Sequence, residues 1–136
     1  MALSDIKKHL AGFKGTERRA QILGKYQGAL IIDDYAHHPT EVKATLQGLR
    51  ARAPKKNLIT VFHPHTFTRT QALFKDFVTS FAAANELIIL DIYSSARESE
   101  KQRSGGVSSA KLVKKIIEYN KARKISQTVK YIATIP

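Results

Sequence analysis

A three-layer α/β domain, with a mostly parallel sheet covered by helices on both faces, is the fold this sequence predicts. Three observations carry that reading. Amphipathic stretches with a helical period alternate along the chain with short runs rich in β-branched residues. The runs are almost continuously apolar, as strands buried on both faces are. Polar residues collect immediately after the runs, where a parallel sheet presents its carboxyl edge.

The first segment, Arg19 to Tyr26, is separated from the apolar run Ala29-Leu30-Ile31-Ile32 by Gln27-Gly28, which suits a hairpin and gives the sheet an antiparallel edge strand at its N-terminal side. Pro39 to Arg52 follows as a helix with Val42, Leu46 and Leu49 on one stripe. Pro39 fits a first helical turn because its missing N–H would be unpaired there anyway, and Glu41 meets the positive end of the helix dipole. Leu58-Ile59-Thr60-Val61-Phe62 is the next strand. Arg69 to Ala84 is a helix through Leu73, Phe74, Phe77, Val78 and Phe81. After the strand Leu87-Ile88-Ile89-Leu90 comes a helix from Ser108 to Asn120 with Leu112, Val113, Ile116 and Ile117 inward, then a last strand, Thr128 to Ile132.

At 136 residues the chain has the size of one domain and can bury a real core. Its 43% apolar and 25% charged residues are ordinary globular usage, without repeats or low-complexity tracts. No apolar run approaches the roughly 18 residues of a membrane span, and Met1-Ala2-Leu3-Ser4-Asp5 does not have the layout of a signal peptide, so a cytoplasmic protein with no membrane partner is expected. The absence of cysteine agrees with a reducing compartment without demanding one.

A net charge of +12 invites anionic partners, and Lys101 to Lys130 holds nine basic residues against the single acid Glu118. Nucleic-acid binding would want stacking aromatics among those cations, and the stretch offers only Tyr119. A solvated lysine-rich face without a nucleic-acid partner is the expectation. A phosphorylated small molecule attracted to it, or a basic nucleic-acid module with salt-sensitive affinity, are the other readings.

The polar strand ends are Asp33-Asp34-Tyr35-Ala36-His37-His38-Pro39, His63-Pro64-His65-Thr66-Phe67-Thr68-Arg69 and Asp91-Ile92-Tyr93-Ser94-Ser95. Singly, each residue has a structural use: an Asp can close a turn, His38 can support a helix start, and Pro64 can end a strand. Together they form one polar edge suited to binding. His37 and His38 are adjacent rather than three or four apart, so no metal site is expected, and no Gly-x-Ser-x-Gly elbow supports a hydrolytic triad.

The strings Asp33 to Glu41 and Phe62 to Thr70, with Phe13-Lys14-Gly15-Thr16-Glu17-Arg18-Arg19 before them and Asp91 to Glu98 after them, resemble the C-terminal domain of the Mur ligase family over nearly the whole chain. The resemblance implies a Rossmann-like fold over residues 1–136, with 1–17 a junction from a missing central domain and the C-terminal end truncated. It also implies an enzyme that uses ATP and Mg2+ to activate the carboxylate of UDP-N-acetylmuramate for attack by the amine of L-alanine. A related ligase that recycles a preformed peptide is the alternative.

Residue by residue, the resemblance assigns Arg19 and Asp34 to the nucleotide and Tyr35, His37, His65 and Arg69 to the amino acid and the sugar-nucleotide substrate. It assigns no certain catalytic residue to this chain. Thr66 stands where many members carry Arg, which leaves Arg69 as the candidate for a carboxylate contact. The sequence contains no Gly-x-x-x-x-Gly-Lys-Ser/Thr, so neither ATP nor Mg2+ should be bound tightly by these residues alone. The partners implied are an N-terminal UDP-binding domain and a central ATPase domain of the same enzyme.

Overall fold

In the computed structural model, which describes residues 2–12, 16–103 and 106–133, Gln27 and Gly28 both take positive φ, 48° and 82°. That twist lets a two-residue turn join antiparallel strands. Around it β1 (Gln21–Tyr26) pairs with β2 (Ala29–Asp33), Tyr26 opposite Ala29 and Gln21 opposite Asp33. An N-terminal helix, α1 (Leu3–Ala11), precedes the hairpin and buries none of its residues. The chain divides into two compact units, Met1–Tyr35 and Ala36–Pro136.

The second unit is built on a parallel sheet of β3 (Ile59–Phe62), β4 (Glu86–Leu90) and β5 (Thr128–Ile132), in that order, with Ile59 level with Glu86 and Glu86 level with Thr128. Its helices are α2 (Pro39–Arg52), α3 (Phe67–Ala72), α4 (Phe74–Ser80), α5 (Glu100–Arg103) and α6 (Ser109–Arg123). One core joins Val42 and Leu46 of α2, Phe62 of β3, Phe77 of α4, Leu87 and Ile89 of β4 and Leu112 and Ile116 of α6. The Phe62 ring lies 5.5 Å from that of Phe77 and 5.1 Å from that of Phe81. Polar ties close the ends: Arg50 donates to the carbonyls of Ala83 and Lys56 and to the Asn85 side chain, and Gln127 donates to the carbonyls of Phe81 and Ala84.

The α/β class, the parallel sheet and the antiparallel N-terminal strand are those expected from the sequence, and two details differ. The hairpin forms its own two-stranded sheet rather than an edge of the parallel one. The sheet is flanked by helices, but one face of β3 is open to solvent. Phe62, Leu87 and Ile89 point into the helical core, whereas Ile59 and Val61, alternating with Thr60 and Phe62, stand 55% and 56% exposed.

Element boundaries differ where side-chain caps act. The helix expected over Arg69 to Ala84 starts at Phe67, because the Thr66 hydroxyl accepts the Arg69 amide at 3.4 Å as an N-cap. It is interrupted at Leu73, where ψ is 19°. α6 runs three residues past Asn120 and closes at Lys124, whose φ of 56° lets the Ile125 amide bond the Asn120 carbonyl at 2.9 Å. α2 occupies the span expected of it, with Pro39 in its first turn. Phe13, Lys14 and Gly15 of the junction string, and the chain end from residue 134, lie outside the described residues.

Candidate functional site

The carboxyl edge of the parallel sheet is assembled from the segments after β3 and β4. Pro64 is fully buried, and its carbonyl accepts the Tyr93 amide at 2.8 Å, so strand pairing continues one step past β3 as a bridge between His65 and Tyr93. That bridge stacks the His65 ring on the Tyr93 ring, 4.9 Å between centroids and 11° between planes, while the His63 ring meets Tyr93 edge-on at 5.7 Å. His63, His65 and Tyr93 are all exposed.

Four residues on, Arg69 turns its guanidinium back to the His65 carbonyl at 2.8 Å. His65 and Arg69 are therefore brought together by the first turn of α3. Thr66, between them, holds the turn: its hydroxyl caps the helix, and its carbonyl accepts the buried Thr70 hydroxyl at 2.7 Å.

Beneath this surface lies Glu98, a buried carboxylate. It accepts the Thr68 amide and the Thr68 hydroxyl, both at 2.8 Å, and the Ser95 amide at 3.2 Å. Burial works to raise its pKa and is the largest single influence. The bonds from Thr68, Ser95 and Phe67 together outweigh it and hold the carboxyl at about 2. A depressed value means that the stabilising contribution is complete above the ordinary value of 4.5 and is lost as pH falls from there through about 2.

At the start of α2, His38 accepts the Thr40 amide at 3.3 Å, and Glu41 accepts the amides of His37 and His38 at 3.1 and 3.2 Å. This reciprocal arrangement is a capping box. The His37 ring nitrogen lies 3.8 Å from the Glu41 carboxylate.

In the hairpin unit the polar network is centred on Arg18. Its guanidinium donates to Asp33 at 3.2 Å and lies 4.9 Å over the Tyr35 ring, and its carbonyl accepts the Tyr35 amide at 2.7 Å. Asp34 accepts the Ala20 amide at 2.8 Å. Arg19 is exposed and makes no hydrogen bond or ion pair among the described residues.

Arg18, Tyr93 and Glu98 are thus the structurally engaged residues that sequence reasoning does not single out. Arg18 is masked by its neighbour Arg19, and Tyr93 and Glu98 are marked only by their place in the third strand-end string. Among the described residues, no three or more His, Cys, Asp or Glu side chains form a group able to hold a metal ion, and no helix is long and apolar enough to cross a membrane. On the basic α6, Lys115 pairs with Glu118 at 2.7 Å and Lys111 donates to the Gly106 carbonyl at 2.5 Å.

Most of the chain is similar to known proteins. The family described as "Mur ligase, glutamate ligase domain" matches residues 18–135. A UDP-N-acetylmuramate–L-alanine ligase of Alkaliphilus metalliredigens is 48% identical over 120 residues, which cover 88% of this chain and 25% of that protein. One from Desulfitobacterium hafniense is 45% identical over 108 residues, 79% of this chain and 24% of the relative. The chain spans about a quarter of the length of these curated relatives.

Among solved structures, a UDP-N-acetylmuramate-alanine ligase from Thermotoga maritima superposes with a TM-score of 0.63 at 18% identity, covering 98% of this chain and 25% of that one. A murein peptide ligase from Psychrobacter arcticus gives 0.65 at 21% identity, covering 93% and 24%. At those identities the likeness is one of fold.

Proposed function

Because this chain belongs to the Mur ligase family, matching its glutamate ligase domain, we propose that it is the substrate-closing C-terminal domain of a cytoplasmic ATP-dependent enzyme that joins L-alanine to the carboxylate of UDP-N-acetylmuramate in peptidoglycan precursor synthesis. The observation that carries this reading is the 48% identity with a relative of that name. Residues 1–17 lead in from a central ATPase domain, and a UDP-binding domain stands before that.

In this reading Arg19 and Asp34 contact the nucleotide, while Tyr35, His37, His65 and Arg69 face the amino acid and the carboxylate to be activated. The donor set suits those ligands. A carboxylate can accept several hydrogen bonds at once, so Asp34 can take a ribose hydroxyl while it holds the Ala20 amide. Arg69 offers a planar fork matched to a carboxylate, pre-set by its bond to the His65 carbonyl. ATP with Mg2+ would supply the phosphoryl group that activates the carboxylate. The role of this chain is to position the reactants and exclude water when it closes.

The test is an assay of the complete enzyme with UDP-N-acetylmuramate, L-alanine, ATP and Mg2+. Phosphate release should keep step with amide formation, and the 136-residue chain alone should release none above background. Steady turnover by the chain alone would refute the closing-domain role. Preference for a preformed peptide over L-alanine would reassign the substrate.

A further inference from the structure

Glu98 is buried, charged and bonded to both segments that carry the exposed His65–Tyr93 stack, yet the reading above gives it no part. Its carboxylate sits across the junction of the two strand-end segments: one side takes the Thr68 amide and hydroxyl from the segment after β3, and the other takes the Ser95 amide from the segment after β4. The second tie between these segments is the Tyr93 amide to the Pro64 carbonyl at 2.8 Å. Together the two ties fix where His65 stacks and where the first turn of α3 aims Arg69. We propose that Glu98 is a positioning residue of the ligase, one that touches no substrate but sets the placement of His65 and Arg69 by stapling the two segments together.

The chemistry favours a carboxylate at this position. Only an ionised carboxylate can accept from the Thr68 amide, the Thr68 hydroxyl and the Ser95 amide without presenting a donor to any of them. Glu98→Gln keeps the shape but turns one oxygen into an N–H donor, which faces the Ser95 N–H or the Thr68 pair and breaks one arm of the staple. The low pKa agrees, since the charged form persists at every pH at which a ligase is assayed. A group serving as proton donor or acceptor in the reaction would instead need a value near the working pH.

This inference rests on the placement of His65 and Arg69 at the amino-acid and carboxylate side, so the experiment has two arms. In the complete enzyme, Glu98→Gln should raise the KM for L-alanine by up to about tenfold to a hundredfold, the loss expected if a displaced Arg69 no longer makes one charged hydrogen bond to its substrate, with the KM for ATP unchanged. Thr68→Val, which removes the hydroxyl's bonds to Glu98 and to the Thr66 hydroxyl and leaves the backbone tie, should shift the same KM in the same direction by less. A purely structural defect would lower the active fraction, and so kcat, with every KM as in wild type and the His65 ring unmoved; that pattern would overturn the proposal.

The second arm follows the His65 ring signals by NMR in histidine-labelled complete enzyme, because stacking on Tyr93 gives them a ring-current shift. Both variants should move those signals, and unmoved signals would also overturn the proposal. Moved signals with unchanged KM values would leave the staple standing and refute the assignment of His65 and Arg69 to the substrates.

Discussion

In the hairpin unit the large apolar side chains stand in the open, Ile22 at 65% and Tyr26 at 67% exposure, whereas in residues 36–136 Phe77 and Phe81 are each 1% exposed. Both units carry candidate site residues, so the same task is met with two kinds of support. The hairpin is held by backbone pairing, a two-residue turn, and the ties of Arg18 to Asp33 and Asp34 to Ala20. Two strands alone are marginally stable in water. The larger unit is held by interdigitated apolar side chains, and its polar site is mounted on strand ends that the core keeps in place. Site residues of the first unit rest on polar ties, while those of the second rest on a buried core.

The contrast can be attacked first in the core. Phe77→Ala should lower the unfolding free energy of the larger unit by about 3–5 kcal/mol in a denaturant titration, the usual cost of deleting a buried aromatic ring. A cost below about 1 kcal/mol would mean that the core is not what holds this unit.

Next in size is Asp34→Asn in the complete enzyme. The amide oxygen can still accept the Ala20 N–H, so the hairpin should fold, but the affinity for ATP should fall about tenfold to a hundredfold, equivalent to about 1.5–3 kcal/mol. Wild-type use of ATP would remove Asp34 from the nucleotide side.

The smallest expected effect is at the turn. Gly28 has φ +82°, and a Cβ added there meets no atom within 4 Å, so Gly28→Ala tests backbone conformation free of any clash. It should destabilise the hairpin by about 1–2 kcal/mol, the cost of a left-handed conformation for an L-residue, read as faster hydrogen exchange of the β1 and β2 amides. Unchanged exchange would show that the turn does not hold this unit.

Much of this was legible in the sequence for identifiable reasons. α2 could be placed from Pro39, Glu41 and the stripe through Val42 and Leu46, because an N-terminal signal and a helical period agree there. The strands announce themselves as β-branched runs. What periodicity cannot give is the cap. Thr66 caps α3 so that it starts at Phe67, two residues before the expected Arg69, and Lys124 ends α6 in a left-handed conformation usually marked by glycine.

Within the site, the strand-end rule located His65 and Arg69 on one short turn because they are local in sequence. The staple through Glu98 joins residues 30 apart, and no spacing rule reports such a contact. Arg18 and Arg19 illustrate the same limit. Either could serve by type, and only the geometry places Arg18 between Asp33 and Tyr35.

The face of the parallel sheet that bears Ile59 and Val61 has a consequence for how the chain behaves as a solute. An exposed apolar strand surface is a template for association with another copy. Against that stands a net charge of +12, which repels like molecules over a range set by the ionic atmosphere, about 10 Å at 0.1 M salt and about 3 Å at 1 M. Dilute buffer keeps copies beyond the reach of contact attraction. Concentrated salt collapses the repulsion while strengthening apolar attraction if the anion is sulfate or phosphate. The colloidal stability of this chain is thus governed by ionic strength, and ammonium sulfate should drive its association before it perturbs the core.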